Sequence, residues 1–168
     1  MAGLFNYAGM VIGSIGLFFG FYYLGTRPDT SIRLVTLTTV GIVGILAFAR
    51  HVIFHKSDAK RLGWETDRPD WMFEVGFANL AFGIIAIIAV LGHHSPKTQA
   101  IILLGYAIYL AQAAVLHGYR YFTDPIKSPA RLWRSCISTL LYAAMMSYFA
   151  VRVLWCSCLS IGGSIGAP

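Results

Sequence analysis

From Leu4 to Leu24 the chain runs without a single Asp, Glu, Lys or Arg. A run of that length decides the solvent, because about 20 apolar residues in a helix rise far enough to cross the hydrocarbon core of a bilayer. The turn Arg27, Pro28, Asp29 closes it. Four more segments of the same kind follow. They are Leu34 to about His55, apolar until Arg50, and Trp71 to Gly92, with Glu74 as its one charge. Then come Thr98 to about Tyr121, carrying Gln112 and His117, and Trp133 to Trp155, with Arg152 near its end.

Continuous apolar runs of this length exclude a transmembrane β-barrel, whose strands alternate apolar and polar over about ten residues. Only helices satisfy their own backbone groups in lipid over such distances. The expected fold is therefore an all-α membrane protein, a bundle of about five transmembrane helices. It forms a single domain over 1–168 with spans near 4–24, 34–55, 71–92, 98–121 and 133–155. Trp71, Trp133 and Trp155 stand where amphipathic rings prefer to lie, at the membrane interfaces. No basic segment or small-residue cleavage site precedes Leu4, so the first span is expected to remain in the mature protein. The Gly- and Ser-rich stretch 160–168 reads as a mobile tail.

Composition supports the same class. The chain is 57% hydrophobic and only 12% charged, where soluble proteins carry about a quarter charged residues. The net charge of +6 does not indicate nucleic acid, because the basic residues are scattered through loops and form no stripe. It indicates topology. Arg50, Lys56, Lys60, Arg61, Arg68, Arg120, Lys127, Arg131 and Arg134 fall on one side of the spans, and Arg27, Arg33, Lys97 and Arg152 on the other. Positive residues resist translocation, so the richer side is expected in the cytoplasm, with the N-terminus there and the C-terminus outside.

Glycines recur at the four-residue spacing of one helix face: Gly9 with Gly13, and Gly16 with Gly20, in the first span. Gly76 and Gly83 share a face of the third. Such small-residue faces let helix backbones approach, within one bundle or in a homo-oligomer. Asn79 lies on the face of Gly76 and Gly83, and an interhelical hydrogen bond is expected of it, with Gln112 as a candidate partner. The three cysteines form no disulfide framework. Cys136 falls near the cytoplasmic end of the fifth span, and Cys156 with Cys158 at its outer end.

The polar residues of the spans suggest where an activity would sit. Counting residues of rise along each span brings His51, His55, Glu74 and His117 to one level near the cytoplasmic boundary. His51 and His55 are four apart, so they share a helix face and can both turn toward one centre. Two imidazoles, a carboxylate and a third imidazole form a ligand set for a divalent transition metal: zinc, iron or manganese. A haem b held by His51 and His117 is the alternative redox centre. The competing reading is interfacial: imidazoles and acids at helix ends that are hydrated or paired with Arg50 and Arg120.

Gly63 and Trp64, followed by Phe73, Glu74, Val75, Gly76, Phe77, Ala78, Asn79, Leu80 and then Gly83, resemble an uncharacterised family of small bacterial inner-membrane proteins. In that family a Gly-Trp pair precedes a Glu-Val-Gly stretch opening a membrane helix. The resemblance implies a plasma-membrane location and no particular reaction. No phosphate loop, nucleophile elbow, HExxH or paired CxxC cluster is present. Two function classes follow: a non-catalytic or accessory component of a membrane assembly, and a metal or haem protein.

Overall fold

The computed structural model of the protein describes residues 1–62, 68–123 and 132–159. Gly63 and Trp64, the side chains of Cys156 and Cys158, and the tail 160–168 lie outside the described residues. Five helices are long and apolar enough to cross a membrane: α1 (Ala2–Leu24), α2 (Pro28–Ile53), α4 (Asp70–Leu91), α5 (Pro96–Thr123) and α6 (Leu132–Trp155). A short helix, α3 (His55–Leu62), follows α2. No strand occurs among the described residues.

α2 is the centre of the bundle. It touches every other span, and 44% of its apolar window is buried against 22–33% for the other four. Pro28 starts it, several residues ahead of the Leu34 boundary expected from hydropathy, because proline at the first position gives up an amide that the helix does not need. Ser31, Ile32 and Val35 of this early turn are buried, and Ser31 Oγ donates to the Gly20 carbonyl of α1 at 2.7 Å.

From Thr36 to Ile42 the α2 backbone widens into π-type turns. Thr38 Oγ1 and Thr39 Oγ1 donate to the carbonyls of Leu34 and Val35, at 2.8 and 2.7 Å. Hydroxyls bonding back four residues compete with the backbone ladder and bend helices, which gives a local cause for the widening.

The glycine faces are filled within the chain. In α1, Gly9 lies over Val43, Gly13 under the Tyr142 ring, Gly16 against Thr38, and Gly20 against Val35 and Phe149. In α4, Gly76 meets Val52 and His51, while Gly83 meets Gly41 and Ile45 of α2. At Gly44 a side chain would stand 2.7 Å from the Asn79 carbonyl, so the α2–α4 crossing admits no larger residue there. Continuous with these seams, a core of Leu17, Ile32, Val40, Leu103, Met146 and Phe149 joins α1, α2, α5 and α6.

Candidate functional site

Two groups of polar side chains join helices of the bundle. The first is the end of the bundle where α2 gives way to α3. A second widened stretch, Ala49–Ile53, carries Arg50 and His51. Phe54 then leaves helical geometry, with φ −107° and ψ 28°, and α3 sets off in a new direction. That break returns Asp58 to the end of α2, and Asp58 is completely buried.

Four groups meet there. His51 Nδ1 lies 2.9 Å from Asp58 Oδ2, and Arg50 Nε lies 3.6 Å from the same oxygen. Arg61 donates to Asp58 Oδ1 from Nε and Nη2, at 3.0 and 2.8 Å. Arg50 Nη2 is 2.8 Å from His51 Nε2, and Arg50 Nη1 donates to Asn6 Oδ1 of α1. Arginine has donors only, so Nε2 of His51 must accept, and the ring proton then sits on Nδ1, facing Asp58. The imidazole is neutral in this arrangement, with Nε2 against Arg50 and Nδ1 in close contact with Asp58 Oδ2, although Arg50 Nε, His51 Nδ1 and Asp58 Oδ2 complete no well-aligned hydrogen bond.

The charges of this cluster sum to one positive unit: Arg50 and Arg61 against Asp58. Burial opposes ionisation of Asp58, but the hydrogen bond from His51 and the charges of Arg50 and Arg61 outweigh it, and its carboxyl is held below the ordinary carboxylate range. The cluster joins α1, α2 and α3. Ala2 N donates to Ser57 Oγ of α3 at 3.3 Å, closing the same corner.

The expected convergence of His51, His55, Glu74 and His117 is not formed. His55 is not on the helix of His51, because the break at Phe54 separates them. Its Nδ1 faces the Val52 carbonyl at 3.0 Å, and its ring packs edge-on against Phe73. Glu74 is exposed. His117 lines a separate cleft together with Arg61, Arg120 and Arg134. Among the described residues no three His, Cys, Asp or Glu side chains are placed to hold a metal ion. A metal or haem iron on His51 would have to displace either Arg50 or Asp58 from the ring. Sequence reasoning missed Asp58. The available signal was its spacing of three to Arg61 within a short polar helix.

The second polar group lies between α4 and α5. Asn79 Nδ2 donates to the Val75 carbonyl at 2.7 Å and to Tyr109 OH at 3.0 Å, and Tyr106 OH donates to Asn79 Oδ1 at 2.6 Å. Asn79 thus bonds between helices, but Gln112 is exposed and is not its partner. Gln112 faces outward, while Tyr106 is buried on the inner side of α5.

Fold and site together define a multi-pass helical membrane protein with a largely buried ionic cluster at one end of its bundle. The chain belongs to DUF6790, a family of unknown function whose model matches residues 4–157. Neither the curated proteins nor the solved structures yield a match.

Proposed function

We propose that this protein is a non-catalytic component of a membrane assembly in a bacterial plasma membrane, with its N-terminus in the cytoplasm and its C-terminus outside. One observation carries the reading. The pair best suited to acid–base chemistry, His51 and Asp58, is buried, with its two members in contact at 2.9 Å and with Arg50 and Arg61 packed over the remaining polar atoms. A general base needs a free nitrogen within reach of substrate, and Nε2 of His51 accepts from Arg50. The same contacts are what a structural clamp requires, since they tie three helices into one corner. The outer face of α1 offers Tyr7, Met10, Val11, Phe18 and Tyr22 to its surroundings, a surface suited to lipid or to a neighbouring membrane helix. The bacterial location rests on the resemblance of the Gly63 to Gly83 region, and the orientation on the charge bias.

The test is purification of the full chain in mild detergent, with mass measurement of the particle and metal and haem analysis of the same sample. A particle heavier than one chain, either a homo-oligomer or a stoichiometric complex, supports the reading. A monomer carrying stoichiometric metal or haem that is lost in His51→Ala overturns it in favour of a redox or metal function.

A further inference from the structure

We propose that the outward face of α5 is an interface between two copies of this chain, with Gln112 as its central contact. This interface rests on the reading of the protein as part of a membrane assembly, and it names both the surface and the partner.

Gln112 is an amide on the wrong side of its helix. The inner side of α5 is engaged with Asn79 through Tyr106 and Tyr109, whereas Gln112 is exposed and makes no hydrogen bond among the described residues. Its depth follows from Arg120, which lies in the last turn of α5. Gln112 precedes Arg120 by eight residues, so it lies about 12 Å deeper at ~1.5 Å of rise per residue. Half the hydrocarbon core is only ~15 Å, so the amide faces lipid chains. These offer neither donor nor acceptor, and an unpaired polar group among them is costly.

The chemistry of the amide selects its partner. Two copies inserted with the same orientation carry residue 112 at the same depth, so the group there must be able to bond to its own copy. A carboxylate or an ammonium would repel itself. An amide accepts through its carbonyl and donates through its NH2, so two Gln112 side chains related by a two-fold axis along the membrane normal satisfy each other. Amides that hydrogen-bond across membrane helices hold them together. The residues around Gln112 suit such a crossing. Ile108, Val115, Tyr119 and Phe122 are exposed, and with Gln112 they alternate four- and three-residue steps, the spacing of a seam between two helices.

The full chain is reconstituted in liposomes over a range of protein-to-lipid ratios, and dimerisation is followed by energy transfer between two fluorescently tagged pools. Gln112→Leu, similar in size but without hydrogen-bonding groups, should weaken the dimer about three- to thirtyfold, the equivalent of interhelical hydrogen bonds between membrane helices. Gln112→Asn keeps an amide and should recover part of that loss. Gln112 bonds to nothing in its own chain, so both variants should retain the helical content of the wild type. A benzophenone side chain in place of Val115 should form a covalent two-chain product in native membranes, and one in place of Val11, on the exposed face of α1, should not. Equal dimerisation by wild type and Gln112→Leu, or a two-chain product from Val11 and none from Val115, would overturn the α5 interface and leave an assembly in place. A Val115 product containing a different protein would overturn the second copy as the occupant. A wild type that is monomeric at every ratio, with no product from either position, would overturn the interface and the assembly reading together.

Discussion

His51 and Asp58 are seven residues apart and on different helices, yet Nδ1 of one lies 2.9 Å from Oδ2 of the other. The break at Phe54 makes this possible. Asp58→Asn would leave Arg50 and Arg61 facing each other without their shared anion. Removing one member of a buried ionic group costs about 3–5 kcal/mol, and the partial exposure of both arginines, at 20% and 27% of their side chains, brings the expected loss nearer 2 kcal/mol. Unfolding of the detergent-solubilised variant, followed by circular dichroism, measures it. A loss within experimental error would mean that α3 is held by its apolar contacts alone.

The pH dependence has a definite sign. The folded carboxyl of Asp58 titrates below its unfolded value, so its contribution is present above that value and is lost as pH falls through the folded one. Stability of the wild type should decline below about pH 4, the ordinary range of an aspartate. Asp58→Asn should lack that part of the decline, and the two curves should approach each other in acid. Parallel curves would show that Asp58 does not report on folding.

The five spans were legible because hydropathy and length determine them with no knowledge of how the helices are turned. The glycine faces were legible as well, since spacing alone fixes which residues share a side, though not which neighbour fills them. The site was not. Placing His51 and His55 together assumed a continuous helix, and widened turns with the break at Phe54 changed both direction and rotation. Asp58 fell in what hydropathy reads as a loop. Tyr106 was hidden for another reason: a tyrosine in an apolar helix reads as an interfacial ring, and sequence does not reveal that its hydroxyl faces Asn79.

Gly16 and Gly3 should respond oppositely to an added side chain. Gly16 lies against Thr38, whereas a side chain at Gly3 meets nothing within 4 Å. Gly16→Leu is expected to cost about 3 kcal/mol or to prevent assembly of the bundle, since overpacking a closed seam typically costs 1–3 kcal/mol and here separates two backbones. Gly3→Ala should be neutral or stabilising by up to about 1 kcal/mol, because alanine favours the helix. Detergent melting curves of both variants make the comparison, and equal tolerance would refute the α1–α2 packing.

Orientation is open to a direct check. Reporter fusions after Asp58 should show cytoplasmic activity, and fusions after Asp29 and Lys97 should show the opposite compartment, because the loops richer in Lys and Arg resist translocation. The reverse pattern would invert the bundle. It would leave its internal contacts as they are.

Asn79 and Tyr106 allow the interhelical hydrogen bond to be weighed by itself. Tyr106 OH donates to Asn79 Oδ1 at 2.6 Å, in a place where neither group reaches solvent. Tyr106→Phe removes the donor and leaves the ring packing against Phe82, while Asn79→Leu removes the acceptor together with the bonds to Val75 and Tyr109. A double-mutant cycle on unfolding free energy should give a coupling of about 0.6–2 kcal/mol, the range found for hydrogen bonds between membrane helices. Asn79→Leu alone should cost more than Tyr106→Phe, because it also leaves Tyr109 OH without its amide. Zero coupling would mean that the two side chains hold α4 and α5 together by shape and not by this bond. The tight passage of Gly44 past the Asn79 carbonyl would then fix the position of α4 without help from α5.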